Sequence, residues 1–590
     1  VCAILPLLFE HTPLRRLGVN CNGFLRLELL GPQGHQISTS KPGYHIAGTI
    51  PADVDDTIAV ISRVSKYELV IPSVESLINK LDCIDPVTSK QAAAILTEYH
   101  RTAAGDKPDV VFPVADSVHR YQFGTFEEHA KPSMVPFMSP FIHAAYAPDR
   151  TSGNEQRAVD HRISLQQKSI MGLTMTPFLF KTMMDFVEAL IPEAHLLVPT
   201  SIDTVLEKQS RPTQRHLLEQ SHIIVSGFAR IVRSFVKTES YRKPADPRII
   251  STINPVDKRD YSSVIYPLAD LMSEQNWYAF SRTPAEVAQS VVETCSFATT
   301  VANTDFSRFD GTISPLAREL ERMVLMRAYK PEYSKIIADL HKSQYNLRGV
   351  TTSGVKYDTG TSRASGSPET SLFNSIDNAF VAYLAYRKTK VNDAFIGHEA
   401  AWRLLNLCRF GGDDGLIVNM KPEPYYKAAA MLGVKPKIDI IKRGDFGVTF
   451  LARMYSPNVW FGDPNSCCDI IRQLSKIHTT TVKSNDITPI HKLVAKARAY
   501  ALSDACTPII GPFSLKTVEL GTDVVVPQHL GKDVPYRSHY AANVQYPNQF
   551  ADWMTEYVGS TGLDIKRFRK WMSRVQTLED LLSPPLLLEP

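Results

Sequence analysis

The stretch Arg409-Phe410-Gly411-Gly412-Asp413-Asp414-Gly415-Leu416-Ile417-Val418 sets two adjacent carboxylates between apolar segments. Leu404, Leu405, Leu407, Cys408 and Phe410 supply one apolar arm and Leu416, Ile417 and Val418 the other, with the turn chemistry of Gly-Gly-Asp-Asp between them. The pattern predicts a β-hairpin with Asp413 and Asp414 at its tip. Alone, a Gly-Asp-Asp decides nothing: chance supplies one in roughly one chain in ten of this length, and a solvated turn explains it as well. The flanking sequence has to decide.

Upstream, the β-rich run from Phe297 to Val301 leads into Asn303-Thr304-Asp305, followed by Phe306-Ser307-Arg308-Phe309-Asp310-Gly311. If this run is a strand beside the hairpin, Asp305 joins Asp413 and Asp414 in a site of three oxygen ligands. Clustered carboxylates suit Mg²⁺ or Mn²⁺, and two such ions can clamp an in-line phosphoryl or nucleotidyl transfer. Between the two segments lies Ser365-Gly366-Ser367-Pro368-Glu369-Thr370-Ser371-Leu372-Phe373-Asn374. Ser-Gly supplies a turn, Pro368 is tolerated in a first helical turn, and Thr370 and Asn374 fall four apart on one helix face. Such a polar stripe can read a sugar. Taken singly, a strand-end Asp or a Ser-capped helix needs no function.

The whole chain sets bounds. At 590 residues it exceeds one compact core, and its 44% hydrophobic and 21% charged residues are those of a folded protein. Net charge is only +4, so a nucleic-acid partner must be met by a local patch. Between Phe228 and Asp260, eight Lys and Arg (Arg230, Arg233, Lys237, Arg242, Lys243, Arg248, Lys258, Arg259) face four acids, and eight minus four equals the chain total of +4. The eight cysteines show no zinc spacing. No apolar run is long enough to span a bilayer, no signal sequence opens the chain, and no P-loop occurs. The start at Val1-Cys2 suggests processing or a fragment of a longer protein. Spacing predicts helices over Pro284 to Glu293, Ser314 to Gln344, Ser367 to Tyr386 and Pro424 to Leu432. The Pro- and Gly-punctuated region from Lys107 to about Asn154 reads as a surface wrapping around something.

In this order and spacing, Asp-x4-Asp, Ser-Gly-x3-Thr-x3-Asn and Gly-Asp-Asp resemble motifs A, B and C of viral RNA-dependent RNA polymerases, specifically those of nodaviruses and noda-like positive-strand RNA viruses. Lys237, Glu239, Lys243 and Arg248 resemble motif F, which covers the triphosphate. Ala428 to Lys437 is placed like motif D, with Lys435 and Lys437 both candidates for the general acid, and Phe450 to Arg453 like motif E. Motif G and a capping module have no match. The resemblance implies an α+β right hand of fingers, palm and thumb, with an antiparallel palm sheet and a mostly helical thumb. The expected division is an N-terminal region or linker to a missing upstream module over 1–105, fingers over 106–300, palm over 301–455 with a finger insertion at about 325–355, thumb over 456–575, and a tail over 576–590.

It implies that Asp305, Asp413 and Asp414 hold two Mg²⁺ or Mn²⁺ ions. Asp310, Ser365, Gly366, Thr370 and Asn374 would meet the ribose, Asp310 and Asn374 foremost, while Lys237, Lys243 and Arg248 would meet the phosphates. The implied partners are template and product RNA, NTPs, and further copies in a membrane-associated replication complex in the host cytoplasm, for instance on the mitochondrial outer membrane, with membrane attachment through segments absent from the chain. A reverse transcriptase shares the carboxylates but favours an aromatic-x-Asp-Asp turn and a bulky residue at the position of Asp310. A non-catalytic RNA-binding protein would use only the basic window.

Overall fold

The computed structural model describes residues 14–19, 25–31, 34–41, 43–50, 93–96, 110–112, 118–209, 215, 219, 221, 230–482, 487–527 and 544–588. The elements that position the site are strands β1 (Ile231–Val236), β2 (Ile249–Thr252), β3 (Thr300–Phe306), β4 (Arg348–Thr351), β5 (Lys356–Asp358), β6 (Arg409–Gly411), β7 (Asp414–Val418) and β8 (Pro436–Lys442). With them stand helices α1 (Pro255–Met272), α2 (Pro315–Ala328), α3 (Ser334–Lys342), α4 (Thr370–Arg387) and α5 (Pro422–Leu432).

The central sheet runs β6-β7-β3-β8, antiparallel throughout, as expected of a palm. Val301, Ala302, Thr304 and Phe306 of β3 are buried, and Leu416, Ile417 and Val418 of β7 join them in the principal core. Helix α4 closes that core. From Leu372 to Tyr386 every one of its residues is buried, the polar Asn374, Ser375, Asp377 and Asn378 included. Helix starts follow local chemistry: Asn254, Thr283 and Ser314 cap helices with Pro at the first position, and Gly433, at φ +82°, ends α5.

A second sheet, β2-β1-β4-β5, carries the basic window on β1 and β2 and joins them to the segment between α3 and α4. β4 and β5 form an antiparallel hairpin that ends at Asp358. Seven N-terminal strands, from Leu14–Val19 to Tyr146–Pro148, form another sheet. Leu25–Gly31 is one of them, and residues 93–96 are helical.

Three readings are corrected. Leu404 and Leu405 belong to the helix His398–Asn406, so the first arm of the hairpin is only Arg409–Gly411. The continuous helix read over Ser314 to Gln344 is broken into α2 and α3 by Pro331, which lacks an N–H and keeps Lys330 extended. Residues 576–588 are no tail: Leu581 and Leu587 are buried in the thumb core, and the Leu587 N–H donates to the Phe141 carbonyl at 2.8 Å.

That core explains the wrapping segment. Phe141 packs on Phe513, Phe568 and Trp571, Val135 pairs with Thr480, and Tyr146 bridges to Tyr241 in the basic window. One segment thus touches both the basic window and the core formed by residues 468–587. Among the described residues no helix is long and apolar enough to cross a membrane.

The turn carrying Asp310 is seated by close backbone contact at Gly311, whose carbonyl also accepts from Gln167 Nε2 at 2.9 Å. A Cβ at Gly311 would stand 1.8 Å from the Arg162 carbonyl oxygen, which no side-chain movement relieves. Gly311→Ala is expected to lower stability by about 1–3 kcal/mol, as overpacking does, measured by urea unfolding; an unchanged midpoint contradicts this seating.

Candidate active site

Gly411 pairs with Asp414 across a two-residue turn of Gly412 and Asp413, and Gly412 takes φ +69°, a conformation that such hairpin turns demand and glycine supplies without strain. Helix α4 fixes the turn from below. The Asn378 Nδ2 lies 3.1, 3.1 and 3.2 Å from the carbonyl oxygens of Gly412, Asp413 and Asp414, and the Gly412 N–H donates to Ser375 Oγ at 2.9 Å. Asp305 comes from β3, where Thr304 pairs with Gly415 on one side and Asp305 with Lys437 on the other. The predicted trio therefore meets at one edge of the palm sheet.

Electrostatics bind the three together. Burial, then the charges of Asp305 and Asp310, push the Asp413 carboxyl above its usual range. Burial, then Asp413 and Asp305, push Asp414 up to about 7. Asp305 and Asp413 line one cavity of about 1090 Å³, while Asp305 and Asp414 line an adjoining one with Leu451, Ala452 and Arg472. Asp305 thus faces both. Among the described residues the tight ligand cluster is a different one, Glu321, His341 and Glu369, with ligand atoms within 4.8 Å of one another. It is no metal centre, because Arg318 and Arg363 already neutralise its carboxylates.

The expected ribose readers divide into two kinds. Asn374 Nδ2 donates to Asp310 Oδ1 at 2.9 Å, and both line the larger cavity. Burial raises the Asp310 carboxyl. Ser365 and Thr370 are differently employed: Ser365 Oγ accepts from the Ser251 N–H at 2.9 Å, and the Thr370 hydroxyl donates to the Ala364 and Ser367 carbonyls at 2.9 and 3.0 Å. Their hydroxyls shape the loop. Gly366 lets it approach β2, its N–H donating to the Ser251 carbonyl at 2.8 Å.

Of the basic segment, Lys237 and Arg248 line the same cavity and share Glu239 as a partner, at 3.0 and 3.4 Å. Lys243 lies outside that cavity and lines a neighbouring channel with Arg242, Arg472 and Lys476, to which Arg248 and Glu239 also contribute. The two motif D lysines also part. Lys437 Nζ stands 3.5 Å from Asp305 Oδ2, whereas Lys435 Nζ bonds Gln166 Oε1 at 3.2 Å. Phe450 to Arg453 is a tight hairpin, with Leu451 and Ala452 at positive φ.

Sequence reasoning missed Ser375, Asn378, Arg308 and Arg363. For Asn378 a signal existed, since it stands one helical turn beyond Asn374. Arg308, at φ +55°, has its guanidinium on Asp246, which also pairs with Arg157 at 2.6 Å. These contacts cross the chain and leave no local pattern.

Residues 271–506 match a family model described as viral RNA-dependent RNA polymerase. The chain is 32% identical over 443 residues to the RNA-directed RNA polymerase of Striped jack nervous necrosis virus, covering 74% of this chain and 44% of that protein. It is 27% identical over 417 residues to that of Pariacoto virus, covering 67% and 40% respectively. It is 28% identical over 376 residues to that of Nodamura virus, covering 60% and 34%. The chain thus spans less than half the length of these relatives. The crystal structure of an insertion-loop deletion mutant of a human picorbirnavirus RNA-dependent RNA polymerase superposes with a TM-score of 0.51 at 14% identity, over 69% of this chain and 83% of that one. The fold is the right hand of viral polymerases.

The raised Asp414 carboxyl has a consequence for stability. Between an ordinary carboxylate value near 4 and its own of about 7, the folded chain holds a proton that the unfolded chain has released, so stability falls as pH rises through that window. In cation-free buffer the melting temperature of Asp414→Asn is expected to gain on wild type from about pH 5 to about pH 8; a constant difference contradicts it.

Proposed function

We propose that this chain, a member of the nodavirus-like viral RNA-dependent RNA polymerases, performs template-directed nucleotidyl transfer to an RNA 3′-hydroxyl in genome replication and transcription. One observation carries the reading: a single cavity is lined by Asp305 and Asp413, by the Asp310–Asn374 pair, and by Lys237 and Arg248. A nucleoside triphosphate needs those three kinds of contact together.

Asp305, Asp413 and Asp414 fit divalent cations. Their burial and mutual repulsion favour protons on Asp413 and Asp414, and a nearby positive charge removes that penalty. Two bound Mg²⁺ or Mn²⁺ ions would neutralise the attacking oxygen and the leaving pyrophosphate. The remaining work falls to the chain. Arg248 offers a planar donor fork to phosphate oxygens and Lys237 a point charge, with Glu239 giving way to the substrate. Asp310, held by Asn374, accepts from the ribose 2′-hydroxyl, and a deoxyribonucleotide would leave that buried acceptor unpaired. Lys437 Nζ, on the cavity side beside Asp305, delivers the proton to the leaving oxygen, while Lys435 is engaged elsewhere. Template RNA, product RNA and NTPs are the partners. The same reading carries with it assembly of copies on a cytoplasmic organelle membrane.

A reverse transcriptase is disfavoured by the carboxylate at Asp310, where a bulky gate would stand. A protein that only binds RNA would be indifferent to the carboxylates. Asp413→Asn is therefore expected to abolish metal-dependent nucleotide addition while RNA affinity holds, read by primer extension beside filter binding; normal synthesis by this variant would falsify the reading.

The lysines make a separate test. Lys437→Ala is expected to reduce single-nucleotide kcat by roughly 10²-fold, the scale of general-acid loss, with Lys435→Ala nearer wild type. The reverse ranking would transfer the role to Lys435.

A further inference from the structure

We infer that Arg363 is a positioning residue for ribose selection, locking the Asn374 amide in the one orientation that aims its N–H at Asp310. The inference rests on the polymerase reading and extends it to a residue that acts through Asn374.

An asparagine amide can sit either way round, because its oxygen and nitrogen have nearly the same shape but opposite hydrogen-bonding roles. Arg363 removes the choice. Its Nε donates to Asn374 Oδ1 at 2.6 Å, and a guanidinium can only donate, so the amide oxygen must face Arg363. The nitrogen must then face Asp310, where Nδ2 donates to Oδ1 at 2.9 Å. Reversing the amide would set donor against donor at Arg363 and an oxygen against the Asp310 carboxylate. One end of Asp310 is fixed in this way, which leaves its second oxygen for a ribose hydroxyl.

Arg363 itself cannot turn. Its side chain is fully buried, with one terminal nitrogen on Glu369 at 2.9 Å and the other on Glu321 and Asp377 at 2.7 and 2.8 Å. Its backbone N–H donates to the Asp310 carbonyl at 2.8 Å, so it holds both partners of the pair. Glu321 and Glu369 are held in turn by Arg318 at 2.9 and 2.6 Å, and Tyr261 donates to Glu369 at 2.9 Å. Charge closes within this group. Two guanidinium groups face two glutamates, and burial drives the surplus acid, Asp377, toward its neutral form. A buried array is tolerable when paired so fully, and removing one member exposes the rest. Lysine keeps the charge but lacks the planar fork, and one nitrogen cannot serve Asn374 and three carboxyl groups at once.

The test compares kcat/KM for ATP and 2′-dATP, with melting curves, in wild type, Arg363→Lys, and the charge-balanced pair Arg363→Met with Glu369→Gln. We expect a variant that melts like wild type to lose about 10-fold or more of the ribose preference, about 1.4 kcal/mol, by slower ATP use at unchanged 2′-dATP use. A merely structural residue would slow both nucleotides alike. The inference is overturned if a folded variant keeps the wild-type ratio, or if neither variant folds, which would make Arg363 structural. A wild type that adds neither nucleotide would instead remove the polymerase reading beneath it.

Discussion

A single amide nitrogen, Asn378 Nδ2, reaches the carbonyls of Gly412, Asp413 and Asp414 from inside helix α4. The hairpin tip has no other anchor of this kind in its own strands: β6 is three residues long and the turn is two. Two carboxylates that repel one another are held on a short turn because the helix beneath is buried along its whole middle and cannot shift. The same helix carries Asn374 one turn earlier. Metal ligands and sugar reader thus share one rigid support, and their spacing is set by helix geometry rather than by loop conformation.

Around that support the charges are sorted by depth. The carboxylates at the sheet edge are only partly compensated, so burial and repulsion raise Asp413 and Asp414, as expected of a site built to receive positive charge. One layer deeper, the acids are matched: Glu321 and Glu369 meet Arg318 and Arg363. The difference separates function from support. A carboxylate left poorly paired at a cavity is available to a ligand, and one enclosed by guanidinium groups is not, which is why the cluster of Glu321, His341 and Glu369 is not the candidate metal centre.

What could be read from the sequence was what depends on order and spacing. Asp305, Asp310, Asn374, Asp413 and Asp414 sit in segments whose local patterns survive folding, and they arrive together. The hydroxyls of Ser365 and Thr370 could not be assigned in this way, since whether such a group faces a ligand or its own loop depends on backbone neighbours such as Ser251. Lys435 and Lys437 are equivalent in sequence, yet the register of β8 against β3 turns only Lys437 to Asp305. Arg363 acts through partners that no local pattern identifies. The last residues looked like a tail because Ser583-Pro584-Pro585 resembles a linker, while Leu581 and Leu587 complete a core built largely from residues far upstream.

The most direct test of the account is single-nucleotide extension of an RNA template–primer hairpin by the purified chain, with each NTP and dNTP in turn and with or without Mg²⁺ or Mn²⁺. The account predicts addition of the templated ribonucleotide only, and only with a divalent cation. Extension that ignores the template, proceeds without a divalent cation, or favours deoxynucleotides would contradict it.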